Sequence, residues 1–465
     1  MPSGQTRNRE FFAITEDTAV ETRVNELIYC FLPSKKAVDS RNFVERMLEQ
    51  HLHRKLGFKL YFYGSTPLKT FLPSADVDCI IASSSATNTS SDVLKEVYKT
   101  LEAAAKDAEC PIRVMDVQFI HATVPVVKCI VNNIFFDISS NQFAGLWALT
   151  FLEQVDRRLS RFHLFKRSIV LCKAWCHYQA RILGSMNGML STYAVETILL
   201  RPFIDLELRS PFQVLCAFMS ILATFNWDEY AYSVAGPVRK DELCNISRDV
   251  NGNQLYTKLP SKLNSFLKKG ERLARASSGI RDPEDYGVLS EGAMAEIIYN
   301  SHYVYTSQTL MPQTYFTPRE MDIIDPLNFC NNLGRSISPL QSARIKDVAT
   351  RDYLIIHDLL RVKNDKQRVD LFDLFFRDMW MSVTIEQGTK SRECDHEDLD
   401  DLLYSDQRNL AQVRQLLLNR NGNNVMMGVN EKTRVLRQNN SKRRHISPTL
   451  SPIPGQRKKK RRRRD

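Results

Sequence analysis

The amino-acid sequence predicts an α+β fold, a five-stranded sheet set inside a largely helical chain. Between residues 58 and 138, short segments rich in β-branched and aromatic residues follow one another. After 140 the apolar residues recur at helical spacing, and residues 19–54 carry a separate helical pattern.

In residues 19–54 that pattern is marked by Val24, Leu27, Ile28, Phe31 and Leu32. The strand segments are FKLYFYG (58–64), VDCIIA (77–82), IRVMDVQFI (112–120), VPVVKCIV (124–131) and IFFDI (134–138). A helix is expected over 92–106, after a loop SSSATNTSS, and Asn132-Asn133 suits a hairpin turn. Helices are then expected over 146–159, 166–183, 191–206 and 211–225, and further on over 261–275, 290–301 and 339–360. From about 385 the chain turns polar and acidic. A short helix is expected over 407–419, and 420–465 reads as disordered.

The hydrophobic share of 43% and charged share of 25% are those of a globular protein with a real core. No apolar run is long enough to cross a membrane, so no membrane partner is expected. The first residues lack the apolar core of a secretory leader, and Glu10, Glu16, Asp17 and Glu21 speak against mitochondrial import. The ten cysteines show no zinc-finger spacing; Cys172 and Cys176 stand four apart with no second pair, which favours reduced thiols. Of the net charge of +11, all but one unit sits in 441–465, which holds eleven Lys/Arg and one Asp. The body is therefore nearly neutral. The run 457–464 (RKKKRRRR) fits a nuclear address, with cytoplasmic residence left open, or a contact with RNA phosphates. Ser447-Pro448 and Ser451-Pro452 beside it are candidate phosphorylation sites.

The chemistry lies in the strand region. Gly64-Ser65 ends the first strand segment, ten residues separate Ser65 from Asp76, and Asp76 and Asp78 flank Val77. Side chains alternate along a strand, so the two aspartates project one way and Val77 the other. Paired carboxylates repel unless a cation lies between them, and Asp137, which interrupts the apolar strand IFFDI, supplies a third. Such an oxygen-rich set suits Mg²⁺ or Mn²⁺, two of which would activate a 3′-hydroxyl and neutralise a leaving pyrophosphate. Gly64 lets the backbone approach a triphosphate, and Ser65 offers it a hydroxyl. Taken singly, a D-x-D is a surface pair and a Gly-Ser a turn; their order along the strands carries the metal-site reading.

These residues resemble the DNA polymerase β-type nucleotidyltransferase motif. Over residues 20–360 the chain is similar to the poly(A) polymerase and terminal uridylyltransferase branch, and to its plant-type group with an oligoadenylate-synthetase-like substrate-binding domain. The resemblance is carried by YGSTPLKTFLPSADVDC (63–79), DISSNQFAGLWALTFLEQVDR (137–157), the segment 163–200 and DPLNFCNNLGRSIS (325–338). It implies a mixed-sheet catalytic palm over 55–140 and a helical central domain over 141–384 with a nucleotide-recognition loop at 325–338. The N-terminal helix of 1–54 would return to the helical domain, and 385–465 would form the tail.

The resemblance also implies roles. Asp76, Asp78 and Asp137 match metal-binding carboxylates, Lys173 a lysine aimed at the triphosphate, and Thr192-Tyr193 a pair that meets phosphate and stacks on the base. Asn141 matches a residue near the ribose. His177 stands where relatives carry a second lysine, and Asn331 where uridylyltransferases often carry histidine. The latter tilts the expected substrate towards ATP over UTP, since an amide cannot act as a protonatable imidazole. The function implied is template-independent addition of nucleotides, AMP from ATP first, to an RNA 3′ end. The alternatives are uridylylation, transfer to a non-RNA or 2′-hydroxyl, and a non-catalytic RNA-processing scaffold, against which the three aspartates stand. With no RNA-recognition motif in sight, RNA affinity would come from the tail or a partner protein.

Overall fold

The computed structural model describes residues 18–82, 90–122, 124–159, 162–246, 258–276, 289–308, 315–387, 403 and 405–417. The expected loop at 83–91 lies mostly outside these residues; the tail beyond 417, with its basic run and Ser-Pro pairs, lies wholly outside them. As far as Arg414 the chain forms one compact unit, and Gln415–Asp465 is assigned to a second.

The N-terminal pattern forms two helices, α1 (Thr18–Phe31) and α2 (Lys35–Leu56), rather than one. Pro33 interrupts the ladder, and Ser34 caps α2 by accepting from the Ala37 amide at 3.2 Å. The sheet follows: β1 (Leu60–Tyr63), β2 (Val77–Ile81), β3 (Val114–Ile120), β4 (Val126–Val131) and β5 (Ile134–Ser140), in the order β1-β2-β5-β4-β3. Only β2 and β5 run parallel, which makes the sheet mixed as expected. Asn132 and Asn133 turn β4 into β5 with φ of 47° and 66°, the left-handed pair that a tight hairpin demands. A short helix α3 (Ser65–Leu68) follows β1, and α4 (Ser90–Lys106) covers one face of the sheet. Val93, Leu94, Val97 and Leu101 of α4 pack with Val77, Cys79, Phe136 and Ile138 in a buried core.

The remainder is helical: α5 (Ala144–Leu159), α6 (Leu164–Ala174), α7 (Thr192–Leu200), α8 (Pro202–Asp205) and α9 (Pro211–Thr224). Two expected helices are divided. The one over 166–183 ends its α-helical part at Ala174 and passes into a π turn, Trp175–Gln179, with the Ala180 amide reaching back to the Trp175 carbonyl at 2.8 Å. The one over 191–206 breaks at Pro202. Beyond lie β6 (Tyr230–Ala231), β7 (Val238–Arg239), α10 (Lys240–Leu243), α11 (Ser261–Ala276) and α12 (Glu291–Gln308). A hairpin of β8 (Ile324–Asp325) and β9 (Asn328–Asn332) precedes α13 (Pro339–Leu359), α14 (Asp365–Phe375) and α15 (Arg377–Gln387). The helices α14 and α15 fall outside the segments expected to be helical. The helix α1 packs on α6 and α14, away from the sheet. The nine described cysteines all carry free thiols, and no described helix is long and apolar enough to cross a membrane.

A polar knot fastens the later chain to α5 and α6. The Lys166 ammonium, fully buried, lies 2.7 Å from Glu153 and donates to the Leu403 carbonyl and Ser405 hydroxyl, both at 3.0 Å. Asn409 reaches the carbonyl of Phe62 in β1 at 3.3 Å, so the same segment touches both the sheet and the helical body. Removing one partner of a buried ion pair strands the other charge. Lys166→Met should therefore cost about 3–5 kcal/mol in urea denaturation; a loss below 1 kcal/mol would show that Glu153 finds another partner.

Candidate active site

The open face of the sheet, opposite α4, is polar at its centre. Asp78 and Asp137 are register partners on the parallel pair β2 and β5, and Asp76 lies just before β2. Burial, and next to it the charges of Asp76 and Asp137, push the Asp78 carboxyl up to about 7. Burial likewise raises Asp137, against the opposing pull of the Lys128 ammonium, which is in direct contact with it from the neighbouring strand β4. Gly64 has φ of 74°, and a Cβ there would lie 2.7 Å from Asp78 Oδ2. The turn after β1 thus passes directly over the carboxylate, a path only glycine can take.

The loop that delivers Asp76 is held from beneath. Arg41 of α2 donates to the carbonyls of Ala75 at 2.6 Å and Pro73 at 3.4 Å, with its guanidinium 4.6 Å from the Phe71 ring. From the helical side, Lys173 donates to the Thr70 carbonyl at 2.8 Å. Lys173 is buried beside Glu196; burial lowers the lysine and raises the glutamate to about 7, each moderated by the other's charge.

The three aspartates, Lys128, Lys173 and Glu196 border one cavity of about 1010 Å³ between the sheet and the helices. Gly64, Ser65, Asp76, Asp78, Asp137, Lys173, Thr192, Tyr193 and Asn331 all line it, as does His177 on the π turn. Asn141 is not among the lining residues: it leaves β5 with φ of 54°, its amide bonded to the Ile81 carbonyl at 3.1 Å. Thr192 and Tyr193 open α7 behind the Ser191 cap, which accepts from the Ala194 amide at 3.1 Å.

The β8–β9 hairpin supplies the far wall. Asp325, buried, accepts from the Tyr193 hydroxyl at 3.3 Å, from Asn331 Nδ2 at 2.9 Å and from the Leu327 amide at 2.8 Å. A carboxylate can only accept, so it fixes the Asn331 amide with Oδ1 turned to Arg335, whose Nη1 donates at 2.8 Å. Asn332 ties the hairpin together, accepting from the amides of Ile323 at 3.1 Å and Gly334 at 2.9 Å. Sequence reasoning overlooked Asp325, Glu196 and Lys128. The last two had a visible signal, a charge inside an otherwise apolar helix or strand.

Among the described residues no group of three or more His, Cys, Asp or Glu side chains is already gathered to hold an ion. The donor set nonetheless fits a hard divalent cation. It is all oxygen, it faces open cavity, and the carboxyls of Asp78 and Asp137 are raised by burial and neighbouring carboxylate charge that a cation would relieve. Asp76, Asp78 and Asp137 would hold it.

Residues 20–156 match the family model "Poly(A) RNA polymerase, mitochondrial-like, central palm domain", and residues 159–281 and 272–380 match "PAP/OAS1 substrate-binding domain". Among curated proteins, Poly(A) RNA polymerase gld-4 of Caenorhabditis elegans is 27% identical over 147 residues, 31% of this chain and only 16% of that protein's length. Among solved structures, Cid1, described for its RNA terminal uridylyl transferase activity, is 16% identical with a TM-score of 0.50, covering 77% of this chain and 98% of its own. A cytoplasmic RNA terminal U-transferase is 15% identical with a TM-score of 0.47, covering 76% and 97%. At such identities the likeness to Cid1 is one of fold.

Gly57 and Gly64 have nearly the same φ, 72° and 74°, but a Cβ at Gly57 meets nothing within 4 Å. Gly57→Ala should therefore cost only the left-handed penalty of about 1–2 kcal/mol. Gly64→Ala should cost more and weaken Mn²⁺ binding in calorimetry. Equal losses in the two variants, with Mn²⁺ binding intact, would show that the Gly64 turn does not shape the site.

Proposed function

Given that the chain belongs to the poly(A) polymerase and terminal uridylyltransferase branch of the DNA polymerase β-type nucleotidyltransferases, we propose that it adds nucleotides without a template to the 3′ end of RNA, with ATP used before UTP. The observation that carries this reading is the single cavity in which Asp76, Asp78 and Asp137 face Lys173, Tyr193 and Asn331. Carboxylates for a metal, a cation for a triphosphate and an aromatic ring for a base meet there.

Each group has a part to play. Bound Mg²⁺ or Mn²⁺ would supply an acidified 3′-hydroxyl and neutralise the departing pyrophosphate. The Ser65 and Thr192 hydroxyls donate to phosphate oxygens, and the Lys173 ammonium offsets triphosphate charge. Tyr193, its hydroxyl anchored on Asp325, presents a fixed ring for the base to stack on. The helical wall bounds the cavity on the side opposite the sheet.

Base choice follows from the direction of the Asn331 amide. Nδ2 spends one of its two hydrogens on Asp325 and Oδ1 one of its two lone pairs on Arg335, so the amide keeps one donor and one acceptor for a base edge. That donor–acceptor pair matches the adenine exocyclic amine and its neighbouring ring nitrogen, the bidentate pairing an asparagine makes with adenine. A histidine at this position, once protonated, would donate to Asp325 with one ring nitrogen and present the other N–H to the base.

Primer extension tests the reading. Purified chain with labelled single-stranded RNA, Mg²⁺ or Mn²⁺ and single nucleotides should extend best with ATP, and Asp76→Ala and Asp78→Ala should each abolish extension. Extension that survives both substitutions would sink the three-aspartate mechanism. Asn331→His should lower the ATP-to-UTP ratio of kcat/KM about tenfold, the scale of one or two hydrogen bonds. An unchanged ratio would place base selection elsewhere in the cavity.

A further inference from the structure

The cavity extends past the carboxylates in both directions. Small-ligand sites run to about 300–1,000 Å³, and this one, at about 1010 Å³, reaches across the sheet well past the carboxylates. On the helical side of Asp137 lie Lys173, Tyr193 and Asn331; on the other side the lining continues over β4 and β3 with Lys128, Ile130 and Gln118.

Phe135 belongs to this second half. It sits on β5 two residues before Asp137, hence on the same face and about 7 Å along the strand. It is 56% exposed although β5 is the central strand of the sheet. The next residue, Phe136, is fully buried in the core beneath, so the chain spends one phenylalanine on packing and leaves its neighbour bare. Ile130, half-buried, stands directly opposite Phe135 on β4, and Lys128 stands opposite Asp137. An apolar ring and its aliphatic neighbour thus lie one step from the carboxylates, with an ammonium alongside.

We propose that this patch receives the acceptor: the 3′-terminal base of the RNA stacks on Phe135 and Ile130, and Lys128 contacts the adjoining phosphodiester. The assignment rests on the transferase reading above and adds to it where the second substrate lies. A base has a π-face whatever its identity, so a phenyl platform holds any 3′ end, as repeated addition requires. The Lys128 ammonium, partly exposed and now paired with Asp137, is within reach of backbone charge entering along the sheet. Gln118 and, beyond it at the bulge in β3, Asp116 line the outer edge of the cavity, where hydrogen-bonding groups can meet ribose hydroxyls.

The test uses the full chain and a short single-stranded RNA ending in 2-aminopurine, whose fluorescence falls when the base stacks. Wild-type chain should quench the probe. Phe135→Ala should abolish the quench and raise the RNA KM about tenfold, for every terminal base, while the ATP KM stays within about twofold. Phe135→Tyr should restore both readouts. Because the ring is exposed, Phe135→Ala should melt with the wild type, so a loss of binding is not a loss of fold. If the wild type extends RNA while Phe135→Ala quenches and extends with unchanged KM, the platform is overturned and the transferase reading stands. If the wild type extends no RNA, the transferase reading fails, and the platform with it.

Discussion

A carboxylate on a buried strand is an electrostatic liability, and the candidate site is organised around one. Asp78 is hemmed by the apolar sheet below, the Gly64 turn above and two further carboxylates beside it. Left alone, such a group takes up a proton rather than keep its charge, which is the sense of its elevation to about 7. The surroundings answer with positive charge: Lys128 on the adjacent strand, Lys173 from the helices, and room in the cavity for a cation. The cost of gathering the carboxylates is met by rigid backbone, since β2 and β5 are register partners through their whole overlap and the loop before β2 is clamped from both sides.

This arrangement explains what could be read from the sequence. Asp76, Asp78 and Asp137 were legible because a strand alternates faces, and a charge at an inward-sounding position in VDCII or IFFDI has few peaceful uses. Lys128, in VVKCIV, announces itself by the same rule. The hairpin at Asn132-Asn133 was legible because few residues accept two left-handed conformations in succession. Asp325 was not, because an aspartate before proline reads as a turn, and its partners lie six residues away at Asn331 and far off at Tyr193. The π turn at Trp175–Gln179 was hidden for a different reason: one extra residue in a turn changes hydrogen bonding without changing composition. Its consequence is local, since Lys173 just before it and His177 within it both reach the cavity.

The two walls of the cavity do different physical work. The sheet fixes carboxylates whose spacing tolerates little error, and it does so with ladder hydrogen bonds and a dry core. In the proposed function the helical wall recognises a base, which tolerates small shifts, and its part there falls to a hairpin held by side chains. Asn332 supplies that hairpin's internal bonds, reaching the backbone of Ile323 and Gly334, while Asn331, its neighbour in sequence, faces outward. Two adjacent asparagines thus split the tasks of shaping the loop and presenting an edge.

Asp325 joins those tasks into one. The same carboxylate anchors the ring of Tyr193 and orients the amide of Asn331, so the two groups proposed to stack on the base and read its edge share a single buried charge. Burial raises that carboxyl, while the donors from Asn331, Leu327 and Tyr193 favour its charged form. Loss of either side-chain donor leaves the charge less well compensated and loosens the other residue with it. On the proposed function, selectivity for the base is then a property of the triad rather than of Asn331 alone. A substitution at Tyr193 would move base preference as well as affinity, a coupling that a double-mutant cycle between positions 193 and 331 resolves.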